Sequence, residues 1–540
     1  MLRNLDMNRA LRGTSLAALL SGVAFSQSPE TPVAFDIADV HASAKTTNPF
    51  MRGGVLRGGR YEVRTASVVD LIRTAYGLDD NDKVVGGPSW LDTNRFDIIA
   101  KAPQATSQEN LKRMLQNLLA DRFKLVVHKD TKPMQVFVLS LGKGKPKLKE
   151  AAGSGPPNSC QGVPQTPQPG VIGYNVVACH NMTMEAFALT VRGMANAYLT
   201  NPVVDSTGLK GSWDFEIKWT GRGQLAAAGA DGVSIFDAVD KQLGLKLEPQ
   251  KAPVPVIVVD SVNDKPTDNP PGLSTALPPP PPAEFEVANV KPSNPDATGQ
   301  NARIQNGRVD IQNFPLKQLI MIAWDINSDD LIAGAPKSLD TLRFDVVAKA
   351  PAGGLGNEQT VDIDVLRLML RALLVERFNL KSHMEDRPVD AYTLSAGKPK
   401  LQKADPSNRT GCKEGPGADG KDPRLANPVL SRLITCQNMT MAQFAEQLPN
   451  LASGYVHSGV MDATGLEGAW DFTINFSAIG LLRSGANPGQ PGGGASASDP
   501  NGALSLPDAV NRQLGLKLET QKRMVPVLVI DHIDEKPTEN

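Results

Sequence analysis

RFDIIAKAP, residues 95–103, returns as RFDVVAKAP at residues 343–351. The copies differ only in Ile against Val, which marks one as a near-duplicate of the other. Working outward, FDIADVHAS (Phe35–Ser43) precedes the first copy and FEVANVKPS (Phe285–Ser293) the second. Downstream, LLADRFKL (Leu118–Leu125) is matched by LLVERFNL (Leu373–Leu380), and CHNMTM (Cys179–Met184) by CQNMTM (Cys436–Met441). TGLKGSWDF (Thr207–Phe215) is matched by TGLEGAWDF (Thr464–Phe472), and QLGLKLE (Gln242–Glu248) recurs unchanged as Gln513–Glu519. DSVNDKPTDN (Asp260–Asn269) and DHIDEKPTEN (Asp531–Asn540) close the two series. Matches in a constant order mean one fold written twice. Loops such as Gly485–Asn501 account for the drift in spacing. The expected organisation is a signal peptide at 1–26, unit 1 at 27–265, a proline-rich linker at 266–283 and unit 2 at 284–540. The run Pro278–Pro282 favours extended polyproline, so the linker is expected to be a semi-rigid spacer.

Each unit alternates strand and helix patterns. RYEVRT (Arg60–Thr65) alternates like a strand, and Val68, Leu71, Ile72 and Ala75 then recur at helical spacing through Tyr76, with Thr65 or Ser67 as cap. In unit 2, Asn313 is the matching cap and Pro315 falls in the first turn. Leu111, Leu115, Leu118 and Leu119 mark a second helix, matched by Leu366, Leu370, Leu373 and Leu374. Short strands are expected around Phe123–His128, Gln135–Leu139, Pro202–Val204 and Trp213–Trp219, and again at Leu245–Glu248 and Val254–Asp260. Helices are expected from Met184 and over Ser234–Leu243. The class is therefore α+β (mixed α/β), with short helices packed on mixed or antiparallel sheets in each of two homologous units.

Across 540 residues, 56 Lys+Arg nearly cancel 57 Asp+Glu, so nothing in the charge balance points to nucleic acid. Arg3, Arg9 and Arg12 precede a short apolar run, Thr14–Phe25, and Ala24 and Ser26 supply small residues at a cleavage site before Gln27. A spanning helix needs about 20 apolar residues. The run is shorter, so export with cleavage is expected, with no transmembrane segment afterwards. Cys160 and Cys179 in unit 1 stand where Cys412 and Cys436 stand in unit 2. In an exported chain that placement favours disulfides Cys160–Cys179 and Cys412–Cys436, each pinning a long loop to a helix start.

The succession FDIADVHAS, GRYEV…LIRTAYGL, VVGGPSWLDTNRFDIIAKAP, LLADRFKL, PVVDSTGLKGSWDF, QLGLKLE and VVDSV…KPT resembles a soil-associated family of bacterial proteins that carry a domain of unknown function. The resemblance covers unit 1 and, more loosely, unit 2. It implies exported proteins with no established activity. Similar domains occur fused to membrane peptidases of the antibiotic-sensor type, which implies sensing or periplasmic binding by analogy. Unit 2 departs from the pattern at Ser338, where unit 1 has Trp90, and in Ala333–Pro336 (AGAP), where unit 1 has Gly86, Gly87 and Pro88.

Chemistry is sparse. His128 and His383 are the histidines that recur in both units, each on the polar side of a strand with no partner legible nearby. Asp205 and Asp214, repeated as Asp462 and Asp471, are an acid/base pair on one reading and turn-forming residues on the other. SLGK (Ser140–Lys143) and SAGK (Ser395–Lys398) fit S-x-x-K but lack its companion motifs and its helix start. His180 beside Cys179 becomes Gln437 in unit 2, which removes a shared Cys–His site. No metal-ligand spacing, Walker motif or cofactor fingerprint is present, so no catalytic residue, metal or cofactor is assigned. The expected function is a non-enzymatic periplasmic or secreted binding or sensing module for an unknown protein or polymer, with an envelope or extracellular hydrolase as the alternative. Trp90, in the Gly86–Trp90 turn, is the candidate binding surface.

Overall fold

The structure is a computed structural model that describes residues 33–44, 49–153, 156–165, 172–297, 299–352, 355–357, 360–417, 422–427, 429–479, 482 and 502–539. The expected signal peptide, residues 1–26, and the loop 485–501 lie outside the described residues.

Each unit consists of two lobes threaded on one long β-ribbon. In unit 1, lobe 1 is an antiparallel sheet of β1 (Ile37–Ala42), β2 (Arg52–Arg57), β3 (Arg60–Ser67) and β5 (Arg95–Lys101) in the order β1-β5-β3-β2. Helices α1 (Val68–Tyr76) and α2 (Gln108–Arg122) cover one face of it. Helix α1 starts where Ser67 and Asp70 form a reciprocal capping box, a cap worth about 1 kcal/mol. It stops at Gly77, whose φ of 64° suits glycine. Val68, Val69, Leu71, Ile72 and Ala75 form its buried stripe.

The ribbon pairs β6 (Val126–Leu141) with β12 (Leu245–Ser261), antiparallel along almost their full length. The short strand β4 (Val84–Gly86) joins β12 in parallel near lobe 1, and β10 (Val203–Asp205) joins β6 in parallel near lobe 2. Lobe 2 is a second antiparallel sheet, with β7 (Lys149–Glu150), β8 (Ser159–Gly162), β9 (Tyr174–Met182) and β11 (Trp213–Thr220) in the order β7-β11-β9-β8. It is packed by α3 (Met184–Met194) and by Ile235–Ala238, which continues as a π-turn over Val239–Leu243. Unit 2 repeats all three sheets in the same order, with Lys381–Ala396 and Leu516–His532 as its ribbon. Among the described residues each lobe has its own apolar core, and a smaller cluster of Val136, Val138 and Val254 lies on the unit 1 ribbon.

Several sequence expectations need correction. The strand pairs expected at 123–128 and 135–139, and at 245–248 and 254–260, are single long strands. Asn313 does not cap a helix; it sits at φ 61° in a bulge, and Pro315 ends the strand and takes the N-cap position. Cys160 is bonded to Cys179 and Cys412 to Cys436, but each bond ties an edge strand to its neighbour rather than a loop to a helix start. Closing such a loop stabilises the chain by about 3 kcal/mol in the chain-entropy account.

The stretch expected to be a semi-rigid spacer is fastened to unit 1 from Thr267 to Pro278. Thr267 N–H donates to the Arg122 carbonyl, Leu273 is buried, and Arg60 donates to the Pro278 carbonyl.

Candidate functional site

The polar residues shared by both units act as backbone clamps. Asp97 accepts from the Thr65 N–H (2.7 Å) and from Ser43 Oγ (2.5 Å), holding Thr65 at φ 56° in a bulge. Asp345 does the same for Asn313 N–H (3.0 Å) and Ser293 Oγ (2.7 Å). The repeated RFD is therefore a bulge lock. Asp214 accepts from Asn181 N–H (2.8 Å) and Asp471 from Asn438 N–H (2.7 Å), both asparagines lying at positive φ. Asp205 and Asp462 open the TGL turns by accepting from Thr207 and Thr464 N–H, each at 2.8 Å. The two aspartates of each pair thus have separate structural tasks. Gln242 and Gln513 each bridge both backbone groups of one strand residue, Lys218 and Asn475 respectively. Tyr198 and Tyr455 donate to the Thr220 and Ser477 carbonyls, and burial pushes each phenol up to about 12.

His128 does have a partner. Its Nδ1 lies 2.9 Å from Asp260, and His383 Nδ1 lies 2.9 Å from Asp531. Each pair forms across its ribbon and is open to solvent, with His128 53% and Asp260 40% exposed. An exposed pair is worth about 0–1 kcal/mol. His128→Ala is accordingly expected to move stability by less than about 1 kcal/mol in urea unfolding. A hydrolase built on the pair would instead lose turnover at unchanged stability. His180 lies 3.8 Å from Asp214 and is exposed, and Ser140 and Ser395 sit within ribbon strands. Among the described residues no three metal-ligating side chains converge.

Several residues that differ between the copies meet at the contact between the units. Asp362 caps the unit 2 helix Ile363–Phe378 and is buried, receiving Arg57 (2.8 Å) and Arg64 (2.8 Å) from unit 1. Asp364 receives Arg52 at 3.0 Å. In the opposite sense, Arg409 of unit 2 forks onto Asp92 of unit 1 at 2.7 and 2.6 Å and also donates to the Val84 carbonyl. Lys413 pairs with Asp82, Thr410 N–H donates to the Ser89 carbonyl (3.0 Å), and Arg222 reaches Asp422 (3.4 Å).

The contacts of Arg409, Thr410 and Lys413 frame a cleft of about 770 Å3, lined mainly by lobe 1 of unit 1 and lobe 2 of unit 2, with Met134, Gln135 and Asn201 of unit 1 beside them. One wall carries Ser67, Asp70, Val84–Gly86 and Arg95, and the other Thr410–Lys413, Gln437 and Gln447. Within it Arg95 donates to Asp70 (3.3 Å) and Asn81 to Asp70 (3.1 Å). Burial draws the Arg95 guanidinium below its ordinary value, against Asp70, which holds it up. The volume falls in the range of small-molecule and peptide pockets, and such sites favour domain interfaces.

A family model described as "Protein of unknown function (DUF3738)" matches residues 69–262 and again residues 317–533. The chain belongs to the DUF3738 family. It carries the domain in two copies. Neither a curated protein nor a solved structure shows significant similarity to it.

Trp90 can now be placed within its DUF3738 unit. It is half-buried in the turn Ser89–Asp92, against the lobe 1 core, and so is not an exposed aromatic. Its neighbours Ser89 and Asp92 hold unit 2. The loop singled out by its difference between copies is thus part of the contact between the two DUF3738 units. In unit 2 the equivalent Ser338 instead bonds Glu535 at 2.5 Å.

Proposed function

We propose that the chain is an exported, non-enzymatic binding module, periplasmic or secreted, whose ligand occupies the cleft between its two DUF3738 units. The observation that carries this reading is that both units contribute walls to one cleft of about 770 Å3. The recurring aspartates Asp97, Asp205 and Asp214 are engaged as backbone clamps. The signal-like N-terminus, the paired cysteines and the resemblance to exported soil-associated proteins support export. No helix among the described residues is long and apolar enough to cross a membrane. The units are proposed at 27–265 and 284–540, with 266–283 between them.

The hydrolase alternative has the His128–Asp260 and His383–Asp531 pairs in its favour. Both lie on open ribbon surface rather than in a cleft, which favours binding. The test is thermal unfolding of the mature chain, Gln27 onward, in the presence of fractions of its own periplasm and culture medium. A fraction that raises the midpoint of the wild type, but not of a Gln447→Trp variant, supports the cleft as the site. Equal stabilisation of both would overturn it.

A further inference from the structure

Resting on the reading of the cleft as the ligand site, we infer that the ligand is an extended peptide that adds as a strand to the edge Gly411–Glu414. That strand lies at the end of its sheet, beyond Arg432–Met439, and Gly411, Cys412 and Lys413 line the cleft. Across the cleft stands another sheet-edge strand, β4, with Val84, Val85 and Gly86 on the wall.

Backbone alternation shows which groups face the ligand. In an antiparallel pair, successive residues direct their N–H and C=O groups alternately toward and away from the partner strand. Gly415 N–H points inward, to the Leu433 carbonyl at 2.8 Å. Thr410 N–H points the other way, to the Ser89 carbonyl of unit 1 at 3.0 Å. Cys412, two residues on from Thr410, therefore presents its N–H and C=O on the Thr410 side, into the cleft. The Ser89–Thr410 bond is a ladder rung already in place, and a bound peptide continues the ladder at Cys412.

The walls suit a peptide backbone. Gln135, Asn201 and Gln447 line the cleft with carboxamides, each a donor and an acceptor, as a peptide unit is, beside Gln437, whose amide nitrogen donates to the Arg409 carbonyl. The charged groups are already matched: Asp70 with Arg95, Asp92 with Arg409 and Asp82 with Lys413. Recognition therefore runs through neutral hydrogen bonds. Phe50, Met51 and Met134 supply an apolar side where alternate side chains of a strand can lodge. A glycan offers hydroxyls to the amides but has no use for a strand edge.

The test selects peptides from a random displayed library on the immobilised full mature chain and measures their binding, beside labelled linear oligosaccharides, by fluorescence anisotropy. Gly411→Trp is the blocking variant, because a Cβ there meets nothing within 4 Å and the backbone is not in the left-handed region. It is expected to keep the wild-type unfolding midpoint and to weaken the selected peptides by at least about tenfold. N-methylation along a selected peptide is expected to abolish binding at alternate residues, the signature of a ladder. An oligosaccharide whose binding is lost in Gly411→Trp overturns the peptide assignment and leaves the cleft standing. Peptides that bind Gly411→Trp as well as wild type, or a chain that binds neither probe, overturn the cleft itself.

Discussion

Asp362→Ala is expected to lower the stability of the chain by about 3–5 kcal/mol, the usual cost of leaving a buried charge without its partner. The residue is 5% exposed and does two things at once. It accepts from the N–H groups of Asp364 and Val365, capping the long helix of unit 2, and it neutralises Arg57 and Arg64 of unit 1. Asp362→Asn keeps the cap and loses the charge, so it should fall between wild type and alanine. Denaturant midpoints measure both.

The same residue sets an acid limit. Burial by itself would raise the Asp362 carboxyl, but Arg64 and Arg57 together outweigh it and the net shift is downward. A carboxylate lowered in the folded state contributes stability that is complete above its unfolded value, about pH 4. That contribution is lost as pH falls through the lower folded value. In Asp362→Ala, stability should therefore depend less on pH across that acid window than in the wild type.

Arg122→Ala should be nearly as damaging, at about 3 kcal/mol, from lost charged hydrogen bonds and buried carbonyls left without a donor. Arg122 is 6% exposed and donates to the carbonyls of Ala38 (3.0 Å) and Thr267 (2.5 Å) and to Asn269 Oδ1 (2.6 Å). Asn269 in turn bonds β1 through Val40 N–H and Asp39. Arg377 holds the matching KPTEN segment, donating to the carbonyls of Ala288 and Glu539. This explains why the Arg-Phe pair (Arg122–Phe123, Arg377–Phe378) and KPT recur together: one is the buckle of the other. Limited proteolysis with subtilisin should find a new cut within 263–280 in Arg122→Ala. Arg122→Lys should rescue poorly, since an ammonium cannot span the same set of acceptors.

The short-range features were legible in the sequence. Helix α1 runs from Val68 to Tyr76 as its apolar spacing requires, and the duplication carries over into the three four-stranded sheets of each unit. The ribbon was not legible, because Pro133, Pro249, Pro253 and Pro255 and a polar middle break the strand pattern. Those prolines are tolerated because the strand that carries each of them has an open edge there. The partner of His128 is Asp260, which only ribbon pairing brings near.

The contact between units was hidden for a related reason: each charge meets a partner hundreds of residues away. Its trace lies in the differences between copies. Arg57 and Arg64 become Gln305 and Gln312, and the Asp362 cap corresponds to Ser107. Asp340, the counterpart of Asp92, is met by Lys317 of its own unit at 3.1 Å. The faces that join unit 1 to unit 2 are therefore not reproduced at the free ends of the pair.

The ribbon also implies an order of assembly. Lobe 2 is contiguous, with its core drawn from Phe137 to Leu247, whereas the lobe 1 core reaches from Ala38 to Leu125 and then needs Ile257 and Val259. One lobe is nested inside the other, as a parenthesis within a sentence. A chain emerging from its N-terminus can complete the inner lobe, disulfide included, before the outer one has received its closing strand. The outer lobe must wait for contacts that span its whole insert, the slow kind in folding. Each unit is thus expected to close from the inside out, with the KPT segment fastened last.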